Sequence, residues 1–354
     1  MRKMKRTTVD AIISYGIVTI AFIIAQSMIN NGAMTRALKG QMIPICVYIV
    51  MAVSLNLVVG ISGELSLGHA GFMSIGAFTG AIVSTWLLGA MNVQNTTVRL
   101  IIALVSGGIL AGAAGALIGI PVLRLRGDYL AIVTLAFGEI IRSILNCLYF
   151  SLDNGQLYVS FNSPDIPGKL IVSGPAGTKA IKTISTFPAG FVLILITLFV
   201  VLNLINSRSG RAIMASRDNR IAAEAMGVNV TKYKMMAFVT SAFLAGMAGA
   251  LYGLNFSTFT AAKFKFDTSI LVLVFVVLGG IGNIWGSVIA ATLLTVLPEL
   301  LRAFSDYRML VYAIVLILVM LATNNPTIRS LIVRMKNSVQ QKDGIHQAQG
   351  GTER

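Results

Sequence analysis

Glu139 and Arg142 stand three residues apart within the apolar run from Asp128 to Phe150. On a helix that spacing puts both on one face, where they can pair. Either charge alone costs roughly 2.5–3.5 kcal/mol at the bilayer centre on insertion scales, so neither is expected to face lipid. Two uses stay open for the pair: lining a route for a polar solute, or a structural ion pair in the interior of a helix bundle. A second set, Glu64, Ser66 and His69, opens another apolar run beside a glycine-rich stretch, and Asn56 lies in the run before it. Glu64 can be interfacial, His69 a satisfied core histidine, and Asn56 a tie between helices. All six residues are candidates for a translocation pathway.

Catalytic chemistry has no comparable set. The second histidine, His346, is far along the chain, and no nucleophile–base arrangement is visible. Cys46 and Cys147 lie in apolar runs without metal-ligand spacing and read as packing residues. The nearest string to a phosphate loop, Gly174-Pro-Ala-Gly-Thr-Lys179, has the wrong spacing for GxxxxGK[ST]. The chain is therefore expected to be no enzyme, to hold no metal or cofactor, and to hydrolyse no ATP by itself.

The elements that must position these groups are membrane helices. Of 354 residues 56% are hydrophobic and 12% charged, with a mean hydropathy of +0.81. Soluble domains are about a quarter charged. Ten apolar segments are predicted, at about 10–29, 41–61, 64–88, 98–120, 128–150, 189–206, 235–254, 268–282, 286–301 and 308–323. Each approaches the roughly 20 residues that cross a bilayer. An all-α polytopic membrane protein is the expected fold class, with some helices short or broken. The first six residues, MRKMKR, precede an apolar run but no convincing cleavage site, so a retained first helix is expected. The net charge of +15 flanks the segments rather than gathering in one patch, which argues against nucleic acid and for topology beside an anionic leaflet.

Placing residues 1–10 in the cytoplasm gives the inside loops seventeen Lys and Arg against ten outside, in line with the positive-inside tendency. Both termini are then cytoplasmic, with residues 326–354 a polar tail after a permease domain of residues 1–325. This assignment needs 268–298 to be two short helices, and Gly279, Gly280 and Gly282 supply the break. Residues 151–188, with four prolines, form an external loop too long to be a simple connector. Residues 207–235 form a cytoplasmic loop with six Lys and Arg. Its centre is predicted as one short amphipathic helix: Asp218 caps it, Ile221, Ala222, Ala225 and Met226 make an apolar strip, and Gly227 closes it. With Arg217 and Glu224 these residues make a docking knob. Small-residue runs at 111–119 and 245–253 suit close helix packing. Leu67-Gly68-x-x-Gly71 and Leu278-Gly279-x-x-Gly282 fit an inverted repeat with irregular helices near a central pathway.

Four ordered motifs carry a resemblance. They are NLVVGISGELSLGHAGFMSIGAF (56–78), LRGDYLAIVTLAFGEIIR (125–142), GRAIMASRDNRIAAEAMGVNVTKYK (210–234) and VVLGGIGNIWGSVIAATLLTVLPELLR (276–302). Together they resemble branched-chain amino acid ABC transporter permeases of the LivM type, over about residues 40–325. The resemblance implies a bacterial inner-membrane permease subunit for Leu, Ile or Val. It implies a second, LivH-like permease, two cytoplasmic ATPases that use the ATP, and an external substrate-binding protein. It also implies that the loop carrying Glu224, Ala225 and Gly227 is the segment that docks on the ATPase. One departure is Thr323-Asn-Asn-Pro326-Thr after the last segment, where the family often has Pro- and Gly-rich turns. The same machinery for urea, short amides or another small polar solute remains open, as does a self-sufficient channel or ion-coupled carrier, which needs no docking loop.

Overall fold

The computed structural model describes residues 22–29, 35–123, 128–153, 155–161, 166–179 and 181–301, with a few isolated positions beside them. Most of the predicted segment at 308–323, the tail at 326–354 and about half of the first segment lie outside the described residues. The chain divides into two units, Met1–Val296 and Leu297–Arg354, and the first holds nearly all of the described residues.

Residues 22–29 form helix α1. Helix α2 (Arg36–Asn56) runs into a π-helical turn, Leu57–Ile61, and then come α3 (His69–Gly89), α4 (Thr96–Val122) and α5 (Asp128–Asn146). After a small sheet come α6 (Phe187–Asn206), α7 (Arg208–Asp218), α8 (Arg220–Ala225), α9 (Val230–Gly253), α10 (Phe266–Gly279) and α11 (Ile284–Leu300). Among the described residues six helices are long and apolar enough to cross a membrane: Leu38–Ile61, His69–Gly89, Thr96–Val122, Tyr129–Asn146, Phe187–Asn206 and Val230–Gly253. The protein is a polytopic, mainly helical membrane protein. Helix α10, at 14 residues, is about 21 Å long, too short to cross alone. Gly280 and Gly282, both at positive φ, separate it from α11.

The core is the trio α3, α4 and α9, and glycine sets how closely they approach. The two small-residue runs seen in the sequence meet where they begin, at Ala111 and Gly246, and continue along neighbouring helices from there. A Cβ on Gly246 of α9 would collide with Ala111 and with the Gly107 carbonyl of α4, and one on Gly76 of α3 would collide with the Gly246 carbonyl. Without a hydrophobic force between helices in lipid, such backbone-on-backbone packing supplies the cohesion. Around it α2 is buried along nearly its whole length, whereas α5 is the least covered of the six spans. Arg99, fully buried near the start of α4, donates from Nε to the Ser84 carbonyl (3.2 Å) and from Nη2 to its hydroxyl (3.0 Å), fixing α4 to α3.

The predicted external loop contains structure that the helical reading did not anticipate. Strands β1 (Leu148–Asp153), β2 (Gln156–Phe161) and β3 (Lys169–Ser173) form an antiparallel sheet in the order β2-β1-β3. The apolar run to Phe150 is thus not one helix: α5 ends at Asn146, and Leu-Tyr-Phe-Ser-Leu pairs as strand. The signal was present, since Asn154-Gly155 between two β-rich runs is a two-residue hairpin sequence. Cys147, read as packing, is exposed in the link between α5 and β1, while Cys46 is buried.

The core makes a direct prediction. Gly246→Ala forces a methyl into a contact with no spare volume, and overpacking of this kind costs about 1–3 kcal/mol. The purified variant should unfold several degrees lower in a detergent thermal-shift assay. An unchanged midpoint would show that α4 and α9 are not so closely seated.

Candidate functional site

A chain that leaves its helix among apolar neighbours strands its backbone polar groups, so the partners of those groups locate the site. The first departure comes after α2. In the π turn the ladder widens: Ser62 N donates to Leu57 O (3.1 Å) and Glu64 N to Val58 O (3.1 Å). Gly63, at φ +75°, then turns the chain into a non-helical stretch that lasts to Gly68. Here the predicted start of the third segment at residue 64 is corrected to His69, because the left-handed backbone at Gly63 ends the helical path. Partners from three other elements serve this stretch. Thr134 of α5 accepts from Leu67 N (3.0 Å), and Ser269 of α10 accepts from Ala70 N (3.0 Å). His69 bonds through Nε2 to Ser54 Oγ at 2.8 Å. The Ser54 hydroxyl proton goes to the Met51 carbonyl (2.9 Å), so Nε2 is the donor. Ser241 of α9 donates to the Ser54 carbonyl at 2.5 Å. Ser54 precedes the end of the π turn by seven residues, about 10 Å of helix. The non-helical stretch therefore climbs back alongside α2 before α3 begins.

The second departure, Gly280–Asn283, lies directly against the first. Asn56 Oδ1 accepts from Gly282 N (2.9 Å), and Asn56 Nδ2 donates to Ser287 Oγ of α11 (2.9 Å). Gly60 has no room for a side chain, since a Cβ there would collide with Asn56 Oδ1 and Gly282 N. Asn56, Gly279, Gly280 and Gly282, picked out separately in the sequence, thus meet at one node. Ser62 and Ser66 are also buried here, and neither hydroxyl has a partner.

The basic segment reaches the same node. It holds two helices rather than one. Helix α7 ends at Asp218, and Asn219 caps α8 by accepting from Ala222 N (3.0 Å). Asp218 is therefore not the cap expected from sequence. The extended backbone at Asn219 (φ −152°) breaks the run, and Asp218 pairs with Arg217 instead (3.0 Å). Gly227, at φ +80°, closes α8. Ile221 and Met226 of the predicted strip stand 81% and 84% exposed, with Ala222 and Ala225 also exposed. Arg220 and Glu224 pair along α8 (2.9 Å). Arg217, expected on the docking knob, turns toward the spans and donates from Nη1 to the Gly60 carbonyl (2.8 Å). Glu64, expected on a pathway, forms an ion pair with Lys234 near the start of α9.

Glu139 and Arg142 do pair, with Arg142 Nε and Nη2 at 2.7 and 2.6 Å from Glu139 Oε2. Within this chain alone they are only partly covered. Their side chains are 35% and 25% exposed, on the sparsely covered helix α5. Glu139 borders a narrow crevice with Leu67, Gly71, Gly138, Lys265 and Ser269. Sequence reasoning found Asn56 and the glycines by type. It missed Gly60, Lys234, Thr134, Ser269 and Ser287, whose roles come from neighbours far along the chain. Among the described residues no group of three or more His, Cys, Asp or Glu is arranged to hold a metal ion.

Replacing Asn56 by Leu would strand the Gly282 N–H and unseat Ser287, a loss of about 1–3 kcal/mol. Its thermal midpoint should fall while membrane insertion, judged by yield in the membrane fraction, stays near wild type. A midpoint equal to wild type would mean the two breaks do not depend on this side chain.

The likeness to known proteins is extensive. Residues 38–320 match the family described as branched-chain amino acid transport system / permease component. The high-affinity branched-chain amino acid transport system permease protein LivM of Salmonella typhimurium is 36% identical over 296 residues, covering 78% of this chain and 66% of the relative. LivM of Escherichia coli is 37% identical over 297 residues, with the same two shares. This chain thus spans slightly less than two thirds of the length of these relatives. LivH of Salmonella typhimurium, another permease protein of such a system, is 27% identical over 276 residues, covering 77% of this chain and 88% of the relative. No solved structure matches the chain. With the family match running from α2 past the second break, the chain belongs to the permease-component family of branched-chain amino acid transport systems.

Proposed function

We propose that this chain is a membrane-spanning subunit of an ATP-driven importer for leucine, isoleucine and valine. The observation that carries the reading is α8, a short capped helix between two spans, with Ile221 on it and Met226 at its C-terminal end both open to solvent. Large apolar side chains left this exposed on a short stiff element suit a protein contact. With the basic end in the cytoplasm, as the charge bias favours, α8 meets a cytoplasmic ATPase, and both termini lie inside. The sheet of β1–β3 then faces outward, where an external substrate-binding protein delivers the amino acid. The chain binds no cofactor of its own and the ATP is used by two partner ATPases. Closure of those ATPases moves α8, and the spans exchange the face that is open.

The second permease is a related but different chain in this reading. The greater identity to LivM than to LivH supports that, because those relatives carry distinct names within systems of one description. It also explains α5. A part-exposed ion pair along a membrane helix is poorly suited to lipid, so the partner permease covers Glu139 and Arg142, beside the solute route.

The docking role and the α5 pair are each open to test. Ile221→Asp with Met226→Asp should abolish co-purification with the ATPases and uptake of labelled leucine into proteoliposomes, with membrane insertion unchanged. Full uptake by the double variant excludes the docking role. Accumulation of urea, but of none of the three branched-chain amino acids, would retain the machine and overturn the substrate. For the α5 pair, Glu139→Ala should reduce recovery of the assembled complex, and the exchange Glu139→Arg with Arg142→Glu should restore it if the pair is structural. Restored assembly with poor transport instead places Glu139 on the route. Equal assembly and uptake for all variants would remove both roles.

A further inference from the structure

Both roots of α8 grip the same short stretch of chain. Before α8, Arg217 donates to the Gly60 carbonyl (2.8 Å) while its Nε and Nη2 hold Asp218 Oδ1 at 3.1 and 3.0 Å. After α8, Lys234 pairs with Glu64. The stem of Arg217 also rests on Gly63, where an added Cβ would come within 2.5 Å of Arg217 Cγ. Gly60 lies at the last turn before the chain leaves its helix, where carbonyls have no following turn to donate to them, and the guanidinium fills that role. Through Asn56 and Gly282 the same stretch is tied to the second break.

We infer that Arg217 is a positioning residue that transmits displacement of α8 to the paired breaks through its hold on Gly60, with Lys234–Glu64 as the second point of attachment. Motion of α8 then enters the membrane domain through side chains gripping residues 60–64, in addition to the covalent path along α7 and α9. The position of the grip explains why a charged side chain is spent on a backbone carbonyl. A planar, always charged donor holds its direction when the stretch shifts, which a flexible ammonium does less well.

This inference rests on the importer reading, and the test separates the two. The assembled complex with its ATPases, in liposomes, is assayed for ATP hydrolysis and leucine uptake in the same preparation. A wild-type complex that lacks ATPase partners or imports nothing refutes the function and not the grip. Given a working wild type, Arg217→Met should assemble and hydrolyse ATP, yet import about tenfold less leucine per ATP, within the range of ordinary coupling energies. Arg217→Lys should fall between the two. Gly63→Ala, which displaces the Arg217 stem and leaves its charge, should lower the same ratio. An unchanged ratio in Arg217→Met overturns the proposal. So does loss of ATPase binding in that variant, which would assign Arg217 to docking. If Arg217→Met does not accumulate, an unchanged ratio in both Arg217→Lys and Gly63→Ala overturns it.

Discussion

A peptide group that leaves its helix inside an apolar bundle must be given a hydrogen-bond partner by another part of the chain, and this molecule is arranged around that requirement. The stretch after α2 and the loop between α10 and α11 both leave helical geometry. Asn56 serves the second from the end of the first, Thr134 and Ser269 serve the restart of the chain into α3, and Arg217 serves the carbonyl at Gly60. Four elements remote in sequence are drawn to this stretch by the donors and acceptors it leaves open. Gly60 completes the arrangement by having no side chain to keep the two breaks apart.

The sequence disclosed this unevenly. Periodicity cannot place the start of α3, because residues 64–68 lead straight into an apolar run with no local signal that separates them from it. The boundary comes from the backbone at Gly63 and from hydroxyls on α5 and α10, which are long-range facts. The break at Gly280 and Gly282 was legible because clustered glycine is a local signal. Helix α8 was legible as an amphipathic turn, yet its cap was placed one residue early, since Asp218 and Asn219 are equally good caps and only the pairing with Arg217 decides between them. The Glu139–Arg142 pair was readable from spacing, but its exposure was not. Which face of α5 is covered depends on what packs there, and α5 is sparsely covered within the chain.

The small sheet shows the opposite bias. Leu148–Asp153 lies at the end of a long apolar run, and in a membrane protein such a run is naturally continued as helix. Its aromatic residues and the Asn-Gly pair favoured strand instead. The result is a rigid platform joined to α5 by Cys147 alone, with Trp86 near the end of α3 donating to the Gly155 carbonyl (3.3 Å). Helix α3 thus connects the node at its first residue to the platform near its last.

The glycine contacts among α3, α4 and α9 carry a mechanical consequence. Side chains that interdigitate loosely let helices slide past one another in small steps, each repacked as it goes. Backbones wedged together at Gly76, Gly107 and Gly246 leave no such steps, because any translation drives a carbonyl into a neighbouring main chain. The trio therefore behaves as a single solid body, and shear is closed to it. Pivoting at the two places where the helices are already interrupted leaves that packing intact.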